Sequence, residues 1–324
     1  MKSFNDYLEI VNQHIAAIRY PDQPSQLYEP IAYTMSLGGK RIRPVLTLMA
    51  CDALGAPLEA AIAPALGIEL FHNFTLLHDD VMDHADLRRG QPTVHRRWNE
   101  NAAILSGDAM LTLATRHIAQ APAACVQQAM TLFNQTAMEI YEGQQWDMDF
   151  EVRNDVQVTE YMEMIRLKTS VLLGCACRMG AIVAQAEDKQ SQALYDMGVN
   201  MGLAFQLQDD MLDVWGDTAT FGKETGGDIM NNKKTFLLIN ALNTATGDDA
   251  LELRHWLNDP YAPRHEKVAG VTALYERLGL RALSDEAIAR HNQRALDALH
   301  EAHLRPEATE AFATLITSLT GRKA

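Results

Sequence analysis

Hydrophobic residues along most of the chain recur at the three- and four-residue spacing of helices. Near the start, Tyr7, Val11 and Ile15 would share one helical face, and the apolar residues at 171–179 repeat the pattern later in the chain. Runs of valine and isoleucine bounded by turn residues, which are typical of strands, are scarce. The pattern therefore predicts an all-α protein, a helical bundle of about ten or more helices.

Glycine and proline interrupt the helical pattern only locally. The breaks fall at residues 21–24, 38–39, 55–57, 90–92 and 216–232. A chain of 324 residues is long enough for one large domain or two ordinary ones, and no low-complexity linker divides it. We therefore expect residues 1–324 to form a single large helical domain.

Composition and charge limit the kinds of molecule that we expect the protein to bind. Hydrophobic residues make up 47% and charged residues 22% of the chain, as in a globular protein. The formal net charge of -14 disfavours nucleic acid as a general partner. The first residues lack the basic start and apolar run of a secretory signal, and no stretch approaches about 18 uninterrupted apolar residues. We expect a cytoplasmic protein with no stable membrane insertion.

Two copies of one carboxylate pattern stand out within the apolar stretches. The first consists of Asp79, Asp80 and Asp83, and the second of Asp209, Asp210 and Asp213. On a helix the first and last Asp of each set fall on nearly the same face, and the middle Asp is rotated from the first by about 100° about the helix axis. Because like charges this close raise one another's pKa values, such a set is tolerated only in water or against cations. The pattern predicts helices that present carboxylates to a cation.

The residue types in these acidic sets favour magnesium. Mg²⁺ prefers oxygen ligands, keeps several waters and is usually shared between one or two carboxylates and a substrate phosphate. Di-iron sites instead use Glu-x-x-His pairs on two helices, and neither acidic set contains such a pair. Six carboxylates and a diphosphate would carry about nine negative charges, so about three Mg²⁺ ions and further cations would be needed. Candidate cations follow or separate the sets: Arg88, Lys168, Lys223 and Lys233.

A second candidate site is the basic segment 38–44, Gly-Gly-Lys-Arg-Ile-Arg-Pro. Its cations, Lys40, Arg41 and Arg43, could hold an anion by charge-assisted hydrogen bonds without any metal. A basic loop that caps a helix, or a surface patch, would have the same sequence. The segment therefore leaves both interpretations open.

Together these segments resemble the trans (E-type) isoprenyl diphosphate synthases, the family that includes farnesyl and geranylgeranyl diphosphate synthases. The matching segments lie between about residues 28 and 240 and occur in the family's order: GGKRIRP at 38–44, FHNFTLLHDDVMDHADLRRGQPTVH at 71–95, Lys168-Thr169, FQLQDDMLD at 205–213 and FGKETGGDIMNNKKTFL at 221–237. The resemblance implies an all-α fold with a deep central cavity, Mg²⁺ dependence and a homodimer.

The resemblance also implies a role for each candidate residue. Mg²⁺ that bridges to an allylic diphosphate would be bound by Asp79, Asp83 and Asp209, with Asp80, Asp210 and Asp213 completing or supporting the metal shell. The same diphosphate would be bound by Arg88, Lys168, Lys223 and Lys233. Thr169 and Gln206 would line the allylic site near the developing cation. Isopentenyl diphosphate would occupy a metal-free site made by Lys40, Arg43, His72 and Arg89.

The implied reaction is the condensation of isopentenyl diphosphate with an allylic diphosphate, which would be dimethylallyl, geranyl or farnesyl diphosphate. Residues one or more turns before Asp79 would set the depth available to the growing chain. Phe74 lies five positions earlier, about 7.5 Å down the helix axis, with Thr75 one turn below Asp79 and Phe71 deeper still. If the bulky ring of Phe74 limits the depth available to the growing chain, we expect a C20 product, with a C15 product as the alternative.

Other interpretations stay open for several of these residues. Phe74 could pack against a neighbouring helix while another feature sets product length, and a lone histidine such as His72 is often a hydrogen-bonded core residue. The polar stretch 144–149 could border the cavity or be a solvated helix end. A terpene cyclase usually carries a different second metal motif, and a non-catalytic subunit of a heteromeric synthase has generally lost motif residues. The second DDxxD at 209–213 and the retained motifs argue against both.

Overall fold

A computed structural model describes residues 1–216 and 225–320, and nearly all of its regular structure is helical. The helices are α1 Phe4–Ala17, α2 Ser25–Ser36, α3 Ile42–Ala53, α4 Glu59–Met82, α5 Val94–Arg97, α6 Glu100–Ile118, α7 Val126–Val152, α8 Val158–Ile165, α9 Val171–Val183, α10 Asp188–Trp215, α11 Gly227–Met230, α12 Phe236–Thr244, α13 Gly247–Asn258, α14 Arg264–Arg277, α15 Leu280–Glu301 and α16 Pro306–Thr320. One π-helical turn, Arg166–Ser170, joins α8 to α9.

The helical pattern of the sequence is confirmed. The predicted breaks at 21–24, 38–39, 55–57 and 90–92 all lie between helices. The break at 90–92 belongs to a small hairpin that the sequence pattern did not predict, in which β1 Leu87–Arg88 pairs antiparallel with β2 Gln91–Pro92. Gly90 makes this turn possible because its φ of 75° is one that other residues rarely adopt. Helix α11 interrupts the last predicted break, 216–232.

The chain folds into two compact units, each assembled from several segments. Unit 1 contains residues 1–135, 175–195 and 302–308, and unit 2 contains the described residues of 136–174, 196–301 and 309–324. The first acidic set and the basic segment 38–44 belong to unit 1, and the second acidic set belongs to unit 2. The single domain expected from the sequence stays a prediction.

Helix α4 is the centre of unit 1 and packs against α1, α2, α3 and α6. Gly67 permits the close approach of α4 to α6, because a Cβ there would lie 2.8 Å from Ile118 Cδ1 and 2.9 Å from the Ala114 carbonyl oxygen. Among the described residues, α4 alone is long and apolar enough to cross a membrane, but 67% of its most apolar 18-residue window is buried. Core helices of globular proteins share this length and composition.

The core of unit 2 includes an apolar cluster formed by α10 to α15. Its buried members are Val214, Ile229, Leu237, Leu238, Ala241, Leu253, Val271, Leu274, Tyr275 and Leu280. Helix α14 contacts α11, α13 and α15, so it ties the short α11 to the rest of the unit. Helix α12 begins where the Thr235 side chain accepts a hydrogen bond from the Leu238 amide, which caps its first turn.

Candidate active site

The second acidic set lies at the end of α10 on the wall of a cavity in unit 2. Asp209 and Asp213 are four residues apart, so they share one face of the helix, and both are half-buried. The remaining lining residues come from α7, α8, the π-helical turn, α10 and segment 228–235: Asp147, Tyr161, Met164, Ile165, Lys168, Thr169, Gln206, Asp210, Asp228, Lys233 and Thr235. The structure thus brings together all the predicted residues of unit 2 that it describes. Lys223 lies outside the described residues.

Asp210 is the buried member of the second set. Its carboxylate accepts a hydrogen bond from the Tyr161 hydroxyl, one from Gln206 Nε2 at 3.3 Å and one from the Phe236 amide at 3.5 Å. Thr169 Oγ1 donates to Gln206 Oε1 at 3.3 Å, which extends the network to a third predicted residue. Burial raises the pKa of Asp210 to about 7, and the Tyr161 hydrogen bond opposes that rise.

Asp213 anchors the segment that follows α10. Its carboxylate accepts hydrogen bonds from the amides of Gly227 at 3.2 Å and Asp228 at 3.0 Å, and its backbone carbonyl accepts one from Gly226 at 2.6 Å. These contacts fix the start of α11 and hold Asp228 beside the second acidic set. Asp213 therefore organises the loop as well as lining the cavity.

The lysines of this cavity lie near Asp147, which belongs to the polar stretch 144–149 for which the sequence left two interpretations open. Lys168 Nζ forms an ion pair of 2.6 Å with Asp147, so the 144–149 stretch borders the cavity at Asp147. Burial would raise the pKa of Asp147, but the charges of Lys233 and Lys168 hold it below its ordinary value. Lys168 lies in the π-helical turn, and Gly143 allows α7 to approach it, since a Cβ there would lie 2.8 Å from Leu167 Cβ.

In the first acidic set, at the end of α4 in unit 1, the middle carboxylate is again more buried than the other two. Asp80 is buried and accepts hydrogen bonds from Arg88 Nε at 2.9 Å and Nη2 at 2.5 Å. Asp79 is half-buried with Arg88 Nη2 3.6 Å away, and Asp83 is exposed where the helix ends. Burial raises the pKa of Asp80, and the bonds from Arg88 oppose that rise. In each set a fixed donor holds the middle carboxylate.

The three cations of segment 38–44 have different surroundings. Arg41 is buried, pairs with Glu69 at 2.5 Å and donates to the Met35 carbonyl at 2.6 Å. It therefore stabilises the start of α3 from within. Lys40 is exposed, and Arg43 is half-buried. Arg41 is thus a buried structural residue that makes no side-chain capping hydrogen bond to α3, while Lys40 and Arg43 are the cations of this segment with access to a ligand.

Arg43, His72 and Arg89 lie close together in unit 1. Arg43 Nη1 is 3.2 Å from His72 Nε2, and because a guanidinium only donates, Nε2 must be the acceptor. Burial and the charges of Arg43, Arg89 and other arginines lower the pKa of His72 well below its usual value, so the ring is neutral. Arg89 donates to the Gly38 carbonyl and stacks on Gly39, where a Cβ would lie 2.9 Å from the guanidinium carbon.

Aromatic rings fill the space one to two turns before Asp79. The Phe74 ring lies 5.5 Å from that of Phe71 and 4.8 Å from His78, and Phe71 meets Phe133 of α7 edge-on at 5.2 Å. Phe71 and Phe74 are buried, and Thr75 Oγ1 donates to the His72 carbonyl at 2.8 Å. Phe74 thus belongs to an aromatic cluster, to which Phe133 adds a member not predicted from the sequence.

The oxygen-only donor sets fit a hard divalent cation. Asp209, Asp213 and Asp228 line the cavity of unit 2, and none of the described residues that line it carries a thiolate or an imidazole. Within residues 1–216 and 225–320, no three Asp, Glu, His or Cys side chains are grouped closely enough to hold a metal by themselves. A bound ion would therefore take further oxygens from water or a phosphate, as Mg²⁺ commonly does.

Glu-x-x-His segments, typical of di-iron sites, do occur at 69–72 and 252–255, outside the acidic sets. Glu69 forms the buried ion pair with Arg41, and Glu252 pairs with Arg277 at the surface. Both glutamates are thus engaged by arginines, and neither segment lines the cavity that contains the second acidic set. These contacts give no support to a di-iron centre.

Comparison with known proteins decides the family. A family model described as polyprenyl synthetase matches residues 24–278. The chain belongs to the polyprenyl synthetase family. The resemblance seen in the sequence is confirmed, and the chain is an enzyme, a prenyltransferase that forms prenyl diphosphates.

Curated members of the polyprenyl synthetase family are similar over most of the chain. Geranylgeranyl diphosphate synthase of Methanosarcina mazei is 41% identical over 221 residues, which are 68% of this chain and 68% of the relative. Geranylfarnesyl diphosphate synthase of Natronomonas pharaonis is 38% identical over 251 residues, which are 72% of this chain and 74% of the relative.

Solved structures of polyprenyl synthetases confirm the all-α fold. A geranylgeranyl pyrophosphate synthase has 43% identity and a TM-score of 0.95, with 100% of both chains covered. A Caulobacter crescentus CB15 polyprenyl synthase complexed with calcium and isoprenyl diphosphate has 27% identity, a TM-score of 0.87 and coverage of 99% and 96%. A Corynebacterium glutamicum geranylgeranyl pyrophosphate synthase complexed with isoprenyl diphosphate and magnesium has 25% identity, a TM-score of 0.82 and coverage of 99% and 96%.

Three polar residues that line the unit 2 cavity were not predicted from the sequence. Asp228 and Thr235 lie inside the segment 221–237 that carries the family resemblance, so the motif itself could have pointed to them. Tyr161 lies seven residues, about two helical turns, before Lys168, and that spacing was the available indication. Its pairing with Asp210 could not be predicted, because a helical pattern does not specify long-range partners.

Proposed function

We propose that this prenyltransferase is a Mg²⁺-dependent (E)-prenyl diphosphate synthase that condenses isopentenyl diphosphate with an allylic diphosphate to give all-trans geranylgeranyl diphosphate, C20. The observation that carries the proposal is the unit 2 cavity, where the carboxylates of Asp209 and Asp213 share one wall with Lys168 and Lys233. A cavity that combines paired carboxylates with lysines suits a metal-bound diphosphate. Relatives solved with calcium or magnesium and isoprenyl diphosphate support this choice of ligands.

In this proposal the second acidic set binds the allylic diphosphate through Mg²⁺, using Asp209 and Asp213, while Asp210 supports them. When bound, the metal supplies positive charge that stabilises the diphosphate leaving group. Lys168, Lys233 and Lys223 contribute direct charge-assisted hydrogen bonds to the same group. The first acidic set contributes in the same way through Asp79 and Asp83, with Asp80 fixed by Arg88. About three Mg²⁺ ions would balance this charge.

The chemistry that these residues assist is a substitution at the allylic carbon. The carbon–oxygen bond of the allylic diphosphate breaks, and the double bond of isopentenyl diphosphate attacks the allylic carbon. A proton then leaves the new carbocation, and the departing diphosphate accepts it. Thr169 and Gln206, linked by their hydrogen bond, present oriented dipoles near the developing allylic cation, whose charge such dipoles stabilise.

Isopentenyl diphosphate binds in unit 1 without metal, at Lys40, Arg43, His72 and Arg89. Its diphosphate is not a leaving group in this step, so direct binding by guanidinium and ammonium groups is sufficient. Neutral His72 keeps one N–H for donation while its other nitrogen accepts from Arg43. Arg89, held between Gly38 and Gly39, is oriented before any ligand arrives.

Product length is the finer part of the proposal, and Phe74 carries it. Its ring, buried with Phe71 one turn before the first acidic set, would form a floor for the growing chain. A C20 product agrees with the names of relatives such as the Methanosarcina mazei enzyme, and C15 is the alternative. The homodimer that the family resemblance implies completes the proposal, together with the cytoplasmic location, the absence of a nucleic-acid partner and the absence of stable membrane insertion expected from composition and charge.

Steady-state kinetics of one variant from each diphosphate site tests the assignment of the two substrates to the two sites. Asp209→Ala should raise the KM for the allylic diphosphate and lower kcat by at least about 10²-fold, since it removes a charge contact to the leaving group. Arg43→Met should mainly raise the KM for isopentenyl diphosphate. EDTA should abolish condensation. Activity that persists in EDTA, or an Arg43→Met enzyme altered only toward the allylic substrate, would overturn the assignment.

A further inference from the structure

A buried lysine in α14, Lys267, lies outside the motif segments that carry the family resemblance in the sequence. The Lys267 side chain is 4% exposed, and its ammonium donates to Asn232 Oδ1 at 2.8 Å and to the Met230 carbonyl at 3.4 Å. Burial lowers the pKa of Lys267, and the charge of Asp259 opposes this. Lys267 lines a cavity together with Asn232 and Asp259, yet its ammonium is held by two hydrogen bonds to segment 230–232. Its hydrogen bonds are therefore the feature that needs an explanation.

The partner of this ammonium precedes a residue of the unit 2 cavity. Asn232 has a left-handed backbone with φ 50°, and its side-chain Nδ2 donates to the Leu257 carbonyl at 3.1 Å. Both ends of the amide are thus fixed, one by Lys267 and one by α13. The next residue, Lys233, lines the cavity and donates its backbone N–H to the Asp228 carbonyl at 2.9 Å.

The same face of α14 contacts the rest of this segment. Arg264 Nη2 donates to the Thr225 carbonyl at 2.9 Å, and Val268 packs so closely on Gly226 that a Cβ there would lie 2.6 Å from Val268 Cγ2. Residues 264, 267 and 268 are three and four positions apart and therefore project from one side of the helix. The start of α14 supports the whole run 225–232.

We propose that Lys267 is a positioning residue for diphosphate binding, acting through Asn232 to hold Lys233 at the cavity wall. The inference rests on the proposed function, because it requires Lys233 to bind the allylic diphosphate. Lys267 itself touches no substrate. Its loss would leave the side-chain Oδ1 of Asn232 without this donor and relax the left-handed turn that sets the direction of Lys233.

A double-mutant cycle with inorganic pyrophosphate in the presence of Mg²⁺ tests the proposal. Calorimetry would give the Kd for the wild type, Lys267→Met, Lys233→Ala and the double variant, with Lys189→Met as a control for loss of an exposed lysine. We expect each single variant to bind about 10-fold more weakly, and the double variant to bind no more weakly than Lys233→Ala. The KM for isopentenyl diphosphate should not change in Lys267→Met.

The outcomes separate the two levels of inference. The positioning role would be overturned if the effects of the two substitutions on the pyrophosphate Kd multiplied in the double variant. Unchanged pyrophosphate binding in a folded Lys267→Met protein would overturn it as well. Unchanged binding in Lys233→Ala would instead overturn the proposed role of Lys233. Asn232→Ala provides a second variant if Lys267→Met fails to fold, and it should show the same non-additivity with Lys233→Ala.

Discussion

The Tyr161 hydroxyl donates a hydrogen bond to the Asp210 carboxylate, although the two residues are 49 positions apart in the chain. Both side chains are buried in unit 2. Arg88 holds Asp80 in the same manner in unit 1. In each acidic set the middle carboxylate is thus buried and hydrogen-bonded, and the two that flank it are more accessible. The fixed carboxylate orients the helix end that bears the other two.

Tyr161→Phe should weaken both the fold and diphosphate binding. Removing the donor leaves a buried carboxylate short of one hydrogen bond, so unfolding in urea should require about 1 to 3 kcal/mol less free energy. Binding of Mg²⁺-pyrophosphate should weaken as well. Tyr20→Phe is a matched control, because the Tyr20 hydroxyl is buried and makes no hydrogen bond within the described part of the chain. Equal effects of the two substitutions would show that the Asp210 contact is unimportant.

His72 should make stability depend on pH below neutrality. Its folded pKa lies well below the ordinary 6.5, so the unfolded chain binds a proton on this ring more readily than the folded protein does. Its contribution to stability is therefore fully present above about pH 6.5 and is lost as the pH falls from there toward the folded pKa.

His72→Gln removes the titrating ring but keeps an acceptor for Arg43. Between pH 7 and pH 5, the free energy of unfolding of the wild type should fall relative to that of the variant, as measured by urea denaturation at each pH. His265→Gln, which replaces an exposed histidine of α14, is the comparison variant. A constant difference between wild type and His72→Gln across this range would contradict the account.

Arg41 and Arg43 should respond differently to substitution despite being two residues apart. Arg41→Met leaves Glu69 as an unpaired buried charge, and we expect a loss of about 3 to 5 kcal/mol in the free energy of unfolding. Arg43→Met should cost less stability and raise the KM for isopentenyl diphosphate about 10-fold or more. Chemical denaturation and steady-state kinetics on both variants distinguish the roles, and a stable Arg41→Met enzyme with weak substrate binding would reverse them.

Phe74→Ala should lengthen the product. Loss of the ring opens space beside Phe71, so the hydrocarbon chain can extend beyond the wild-type length before it meets a side chain. Phe312→Ala is the control, since Phe312 is also buried but lies in α16. Chromatography of the dephosphorylated products gives the lengths directly. If Phe74→Ala makes products no longer than those of the wild type, Phe74 is not the floor.

Much of the fold and both acidic sets could be predicted from the sequence, because helical periodicity and repeated carboxylates are local patterns. The i, i+4 spacing of Asp209 and Asp213 correctly placed both on one face of α10. The short hairpin at 87–92 could not be predicted from periodicity, since each strand has only two residues. Its role is to carry Arg88 and Arg89.

Contacts between residues far apart in the sequence account for the features that local patterns did not predict. Nothing in segment 38–44 distinguishes Arg41, which pairs with Glu69, from Arg43, which reaches His72. The segments that resemble the family end at about residue 240, yet Lys267, beyond them, contacts the segment that precedes Lys233. Such contacts depend on tertiary packing, which places residues far apart in the chain next to each other.

Sizing the products of the wild-type enzyme tests the central claim most directly. The enzyme would be incubated with Mg²⁺, isopentenyl diphosphate and, in separate reactions, dimethylallyl, geranyl or farnesyl diphosphate, and the products would be dephosphorylated and separated by chain length. The account predicts all-trans C20 as the main final product from each primer and no product in EDTA. No condensation with any primer, or a main product that stays at C15, would contradict it.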